Sequence, residues 1–276
     1  MSKEKILKSS LPELVARFSQ LDVVEEMEKR YQNAPAKLIS TESLDDNAFV
    51  KEIAIPAKTI ETFAQTLSSR GFYAPVVVKE KGDRYEVILG RKRLYGAKKA
   101  GILSLPAVIV SITEEEELLV LLADNRDQRE SHILEMACVC SILQRKYGYS
   151  VSTLAKLSHQ SRSQIANTLR LLSLPRELKD DLNEGILSYG HARAILTLNE
   201  KDADELAKQI KEHHLSVRET EARAKAIRQS QGDESAFASW CEHQGITLRE
   251  TKTGIYLAFE SEEQKEEFKA SLRKHD

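Results

Sequence analysis

Cysteine is scarce in this sequence and poorly placed for chemistry. The three thiols, Cys138, Cys140 and Cys241, include no C-x-x-C pair, so the sequence encodes neither a disulfide framework nor a cysteine zinc site. Cys138 and Cys140 fall in an apolar helical stretch and read as core residues. Long apolar runs are missing as well. The longest, residues 118–123, falls far short of the roughly 20 residues that a membrane helix needs. The opening MSKEKILKSS lacks the apolar centre of a secretory signal. There is no internal repeat, no low-complexity tract, and no constellation of serine, cysteine or histidine that would mark a nucleophilic enzyme. These absences predict a reducing, cytoplasmic setting and no membrane partner.

What is present is charge and helical periodicity. The chain has 276 residues, 41% hydrophobic and 30% charged, enough for two or three domains. Its net charge of −2 hides an uneven distribution. From residue 145 to 193, eight Lys/Arg stand against four Asp/Glu, whereas from 231 to 276 six stand against ten. A locally positive stretch inside a near-neutral protein is what a phosphate backbone would select.

The pattern along the chain predicts four regions. Residues 1–43 hold an N-terminal helical arm, with Leu14, Phe18, Leu21 and Met27 at helical spacing over 11–31, and 34–46 reads as a linker. Residues 44–130 read as α+β: a helix over 59–69 closed by Gly71, a hairpin around Gly82, a helix opened by Gly90 and ended by Gly101, a strand over 105–110 and a helix over 114–126. Residues 131–230 are helical throughout, with segments at 133–147, 151–158, 161–173, 175–184, 188–197, 201–211 and 216–230. Residues 231–276 hold a hairpin (246–250 and 255–259) and a last helix to about 272.

The segment HQSRSQIANTLRLLSLP (159–175) carries the most chemistry. Ser161 and Gln164 have the spacing of a capping box. Ile165, Ala166, Leu169 and Leu172 form an apolar stripe. Ser163, Asn167 and Arg170 share another face, with Arg162 and Gln164 at the tip. Arg, Asn and Gln are the side chains that bond bidentately to guanine and adenine edges in the major groove. A short helix precedes it (150–158), with Val151, Leu154 and Ala155 on one face, so the two read as a helix-turn-helix. Its turn, Ser158 to Gln160, lacks the customary glycine. An amphipathic pair with a solvated polar face is the competing reading.

These residues carry a resemblance. SRSQIANTLRLLSLP, followed by EGILSYGHARAIL (184–196), resembles the DNA-binding core of the ParB family of partition proteins. The likeness extends back through DNRDQRESHILEMA (124–137) and LGRKRLYGAKKAG (89–101) to TFAQTLSSRGFYAP (62–75). It spans roughly residues 44–200 and, more weakly, the C-terminal hairpin and helix. The resemblance implies recognition of a parS-type inverted repeat in double-stranded DNA by a homodimer. Carried over by position, Arg162, Ser163, Gln164, Asn167, Thr168 and Arg170 would face the groove or its flanking phosphates, and Lys156 a phosphate. Ser188, Gly190, His191 and Arg193 match the family's GHAR segment, whose helix start could grip a phosphate. A packed core histidine is the alternative for His191. Arg162, Thr168 and Gly190 match the partition type better than the nucleoid-occlusion type.

The resemblance also implies CTP and Mg2+ as cofactors. In the family, Gly-Glu-Arg-Arg-x-Arg-Ala holds the triphosphate, and the nucleotide lets the dimer close as a clamp. A glycine at a strand end before a basic helix start is a sound anion cradle in its own right. Here Gly90 and Arg93 are retained, Lys92 stands where arginine is usual, Arg91 replaces the acidic residue, and Tyr95 replaces the last arginine. Asp124 and Asn125 match the family's Glu-Asn pair as nucleotide and metal candidates, and Gly71 opens the loop expected beside the base. Loss of the acidic residue removes an oxygen ligand for Mg2+, so weak or absent hydrolysis is expected. A ParA-type ATPase and nucleoid association complete the expectation, with Lys3, Lys5 and Lys8 placed to touch the ATPase. The acidic C-terminal region, with Phe268 and Leu272 facing inward, predicts dimerisation without a second DNA grip. A transcription regulator on the same scaffold, binding promoter sites, is the alternative function.

Overall fold

A computed structural model of the protein describes residues 35–72, 74–127, 133–243, 246–251, 254–259 and 261–272. The expected arm helix over 11–31 and Lys3, Lys5 and Lys8 lie outside the described residues. The chain divides into two units, residues 1–196 and 197–276.

The first unit is organised by a five-stranded sheet of order β1-β5-β3-β4-β2. Its strands are β1 (Lys37–Ser40), β2 (Leu44–Asp45), β3 (Val76–Lys81), β4 (Arg84–Leu89) and β5 (Ser104–Val110). β3 and β4 form the expected antiparallel hairpin, and β3 and β5 run parallel. Side chains alternate across a strand, so the valine run divides between two faces. Val76, Val78 and Val87 pack with Leu67, Leu94 and Ala97 from helices α1 (Ala57–Arg70) and α2 (Arg91–Lys99). Val77, Ile88 and Val108 pack on the other face with Val120 and Ala123 of α3 (Glu114–Asp127). A sheet buried on both faces can afford a continuous apolar run.

The supposed linker over 34–46 proves to contain β1, a single 3-10 turn (Thr41–Ser43) and β2. Among residues 35–46 only Ile39, Thr41 and Leu44 are buried, while Leu38 is 74% exposed. The pairing partner of β1 is β5, and Thr41 adds a hydroxyl bond to the Ile102 carbonyl at 3.0 Å. Nothing local in residues 34–46 announces a strand whose partners lie 64 to 70 residues away. Gly96 in α2 has a packing role: a Cβ there would meet Phe63 Cβ at 2.7 Å and the Ala64 nitrogen at 3.1 Å, so α1 and α2 cross at that glycine.

The four consecutive glutamates opening α3 each have their own partners. Glu114 accepts from Lys146 and from the Tyr147 hydroxyl, and Glu115 accepts from the Tyr149 hydroxyl at 3.0 Å. Glu116 closes a capping box with Thr113. Glu117, fully buried, accepts from Lys79 at 2.5 Å and Asn47 at 2.7 Å. Burial raises the Glu117 pKa in spite of these two donors.

Helices α4 (Ile133–Tyr147), α5 (Val151–Leu157), α6 (Arg162–Arg170), α7 (Arg176–Asn183) and α8 (Tyr189–Ile195) complete the unit. Their core does not stop at the expected boundary near residue 130. Leu118, Leu119, Leu121 and Leu122 of α3, with Val50, pack in one cluster with Met136, Val139, Cys140, Leu154 and Ile165. Cys140 lies at its centre, and burial pushes its thiol pKa up to about 12, which makes it inert at neutral pH. Cys138, half-buried, packs against the same cluster.

The turn between α5 and α6 places His159, not glycine, at φ 53°. The left-handed region costs a side-chain-bearing residue roughly 1–2 kcal/mol, and glycine avoids it at some entropic cost. His159→Gly is therefore expected to stabilise the fold by about 0.5–1 kcal/mol, read as a higher urea midpoint with unchanged slope. An unchanged or lower midpoint would contradict the strain.

In the second unit, α9 (Glu200–His213) precedes α10 (Val217–His243). The helix expected over 216–230 continues to residue 243, so the expected break at 230 falls within a single helix. Gly232 falls in its middle, and a glycine there weakened the local helical signal without ending the helix. β6 (Thr247–Thr251) and β7 (Gly254–Ala258) pair antiparallel, as the hairpin pattern predicts. Phe268 of α11 (Glu262–Leu272) lies 5.5 Å from Phe259, centroid to centroid. The Leu272 side chain lies outside what is described.

Candidate DNA interface and anion-binding turn

α6 starts in the way its sequence requires. Ser161 Oγ accepts the Gln164 backbone N–H at 3.1 Å, and Gln164 Oε1 accepts the Ser161 N–H at 2.8 Å. This capping box fixes the helix start and leaves Arg162 and Ser163 exposed at the tip, with Gln164 exposed beside them. Ile165 is fully buried beneath, packed into the cluster that α3, α4 and α5 share. Asn167 is half-buried on the same side as Ser163, and Lys156 is exposed at the end of α5.

Two sequence expectations for this helix need correcting. Thr168 is 1% exposed, on the packed side three residues after Ile165, so its side chain cannot reach a groove. Ala166, expected on the apolar stripe, is exposed. The packed side of the helix is Ile165, Thr168 and Leu169, so a threonine takes the place on it that the sequence reading gave to Ala166.

Arg170 has a specific partner. Its Nη2 donates at 2.6 Å to the carbonyl of Leu196, the residue that ends α8, where a cation is also favoured by the helix dipole. Arg170→Ala is expected to lower stability by about 1 kcal/mol. It should leave the salt dependence of DNA binding unchanged, whereas loss of a phosphate contact would flatten that slope by about 0.9. A flattened slope would assign Arg170 to phosphate instead.

The GHAR segment is also turned to internal use. Ser188 Oγ accepts the His191 N–H at 3.2 Å, and His191 Nδ1 accepts the Ser188 N–H at 3.3 Å. His191 is half-buried as part of a capping box, a role that neither sequence reading gave it. Gly190 lies half-buried in the first turn of α8, and Arg193 is exposed in its last turn.

The second candidate site is the turn into α2. Gly90 sits at φ 101° as the N-cap, where a Cβ would meet Val76 Cγ1 at 2.9 Å, and no side chain caps the helix start. Arg93 Nη1 donates to the Pro75 carbonyl at 2.8 Å, which ties the end of the Gly71 loop to this turn. Gly71 itself ends α1 at φ 73°. Burial lowers the pKa of Lys92, against the pull of Glu135 and Asp124. Asn125 is buried, with Nδ2 donating to the Leu121 carbonyl at 2.8 Å and Oδ1 without a partner.

Arg91 does not point into this cradle as a loose cation. It is 7% exposed and bonds Asp46 through Nε and Nη2 at 2.6 and 2.8 Å, Ile53 O at 3.1 Å, and Glu135. Tyr95 donates to Asp46 at 2.9 Å. Burial would raise the Asp46 pKa, but the bonds from Arg91 and Tyr95 hold it below the ordinary carboxylate value. Sequence reasoning missed Asp46 and Glu135, although the joint departure of Arg91 and Tyr95 from the family motif was a usable signal.

A phosphate fits this turn, with its uncapped helix start and left-handed glycine. A divalent metal beside that phosphate would draw on Asp124 and Asn125. Among the described residues no three His, Cys, Asp or Glu side chains converge as a ligand set. Asp46 and Glu135 are already neutralised by Arg91, whereas Asp124 acts on Lys92 in the turn itself and Asn125 Oδ1 has no partner.

An exposed polar helix tip on a helix-turn-helix, built on a core shared with a sheet domain, defines the class of helix-turn-helix proteins with an attached α/β domain. The ParB N-terminal domain profile matches residues 25–126 and the ParB HTH domain profile residues 129–229. A probable chromosome-partitioning protein ParB of Neisseria meningitidis is 34% identical over 197 residues, 71% of this chain and 69% of the relative. The chromosome-partitioning protein ParB of Caulobacter vibrioides is 34% identical over 169 residues, 60% of this chain and 55% of that protein. Among solved structures, truncated ParB from Caulobacter crescentus complexed to the centromeric parS site is 30% identical, with TM-score 0.42 over 69% of this chain and 99% of that one. The same protein complexed with CTP-gamma-S is 27% identical, with TM-score 0.32 over 63% of this chain and 98% of that one. The chain belongs to the ParB family of chromosome-partitioning proteins. The promoter-binding alternative is not favoured by these relatives. No helix among the described residues is long and apolar enough to cross a membrane.

Proposed function

We propose that this protein binds a parS-like inverted repeat in double-stranded DNA as a homodimer and acts in chromosome or plasmid segregation on the nucleoid, with a ParA-type ATPase as partner. The observation that carries the reading is the exposed tip of α6, where a capping box presents Arg162, Ser163 and Gln164 above a buried Ile165. Two such tips, one per subunit, would enter successive major grooves about 34 Å apart, which is why the site should be a palindrome. Arg162 is the first base reader to expect, followed by Asn167, with Lys156 and Arg193 on phosphates. The hairpin and α11 are the expected dimer contact.

CTP is the nucleotide proposed for the Gly90 turn, where it would supply a triphosphate for the α2 backbone N–H groups and the charge of Lys92. Hydrolysis is not part of the proposal, because Arg91 stands where the family motif is acidic and is bound to Asp46 and Glu135.

Fluorescence anisotropy on the intact repeat, on a repeat with one half scrambled, and on random duplex tests the proposal. At physiological salt the intact repeat should bind about a thousandfold or more tighter than random DNA, with the half-scrambled site between them. Equal affinity for all three, or a monomer in sedimentation, would overturn it.

A further inference from the structure

The capping box of α6 commits atoms that base reading would need. Gln164 Oε1 accepts the Ser161 N–H at 2.8 Å, so the side chain is folded back over the helix start. The bond itself fixes which way the amide faces, because a backbone N–H can bond only to its oxygen. A glutamine that reads adenine has to extend from the helix instead. It sets its oxygen and nitrogen side by side, one accepting from the adenine amino group and the other donating to N7. Reaching that pose would cost Gln164 its bond to Ser161, one of the two that make the box. In the folded-back pose Gln164 offers Nε2, which is a donor only. Ser163 is engaged as well, its Oγ 2.9 Å from the Ser161 Oγ. Arg162, exposed beside them, carries donors and no acceptor.

Asn167 differs. It lies one turn on, four residues after Ser163 and three after Gln164, and is half-buried. No hydrogen bond engages its side-chain amide among the described residues, so it keeps an acceptor as well as donors. We propose that the cap decides which base edge each amide reads. Gln164 is a donor-only contact, made to guanine N7 or to a phosphate oxygen, and Asn167 is the adenine reader. The assignment rests on the DNA reading above and adds to it the chemistry that each position accepts.

Thermodynamic cycles on the full chain test it, with fluorescence anisotropy on a duplex carrying the centromeric parS site. Wild type, Gln164→Ala and Asn167→Ala are titrated with the unmodified duplex and with three altered ones. These carry 7-deazaguanine for guanine, methylphosphonates for phosphates, or purine, which lacks the amino group, for adenine. Gln164→Ala should weaken binding to the unmodified site about fivefold per half-site, and less than about twofold once its acceptor is gone. That acceptor is N7 where the deazaguanine duplex abolishes the loss, and phosphate where the methylphosphonate duplex does. The loss should persist in full on the purine duplex, whereas the loss from Asn167→Ala should vanish there alone. Gln164→Glu keeps an oxygen for the Ser161 N–H and gives up the donors. It should melt no lower than wild type, yet lose about fivefold or more in the ratio of parS to random affinity. A Gln164→Ala loss that vanishes on the purine duplex would make Gln164 the adenine reader and overturn the assignment. Equal losses on every duplex, or an undiminished ratio in Gln164→Glu, would leave Gln164 a cap alone and overturn it as well. An Asn167→Ala loss that survives on purine would overturn its half. A wild type that binds parS no tighter than random duplex would overturn the DNA reading itself, and the assignment with it.

Discussion

Arg162→Ala is expected to lower affinity for the cognate repeat by about 1–3 kcal/mol per subunit, the worth of a good bidentate base contact. Binding to random duplex should change much less, because there the residue contributes only one charge to a nonspecific field. The size of the effect follows from how α6 begins. Ser161 and Gln164 satisfy each other's backbone groups, so the helix start is rigid without help from DNA. Arg162 is the next residue and is exposed. A backbone already ordered before DNA arrives adds no ordering cost of its own on binding, which favours a large discrimination. The check is the ratio of affinities for cognate and random duplex, measured for both proteins at one salt concentration. Equal losses on the two duplexes would remove Arg162 as a base reader and leave it a phosphate contact.

Lys79→Met should destabilise the fold by about 3 kcal/mol at neutral pH, the low end for orphaning a buried charge, since Lys79 itself is partly wet. Glu117 is fully buried, and Lys79 at 2.5 Å is its cation; Asn47 supplies the other bond at 2.7 Å. Glu86, 3.4 Å from Lys79, keeps Lys81 at 2.5 Å, so the orphan is Glu117. Burial already raises the Glu117 pKa, and removing the lysine pushes it higher. An acid whose pKa is raised by folding weighs against the fold when ionised. That penalty falls as pH drops through the folded pKa, because the native state takes up the proton first. The difference between variant and wild type should therefore be largest at neutral pH and shrink in mildly acid buffer. Urea unfolding at the two pH values measures it. A loss independent of pH would mean that Lys79 stabilises by its stem alone.

Elements whose cause is local were legible in the sequence. α1 ends at Gly71, the β3–β4 hairpin turns at Gly82, and the α6 capping box follows from the spacing of Ser161 and Gln164. Each depends on residues within a few positions of one another. β1 was not legible because β5 makes it a strand, and its own pattern is too short to carry alternation. Thr168 shows a different failure: its position three residues after Ile165 pointed to the packed side, but the resemblance to the family carried it over as a DNA contact. At the Gly90 turn, the glycine and the helix start were readable, while the fate of Arg91 depended on Asp46 and Glu135, about 45 residues away on either side. Charge counted along a sequence cannot tell a cation facing solvent from one already neutralised inside.

The glutamates that open α3 set a practical limit on chimeras. Exchanging the DNA-reading helices for those of a relative, with the splice near residue 130, would leave Glu114 and Glu115 without Lys146, Tyr147 and Tyr149, and would cut the leucines of α3 off from Ile165. A transplant that keeps its solubility has to carry residues 114–196 as one cassette, with Lys79 and Asn47 provided by the recipient sheet.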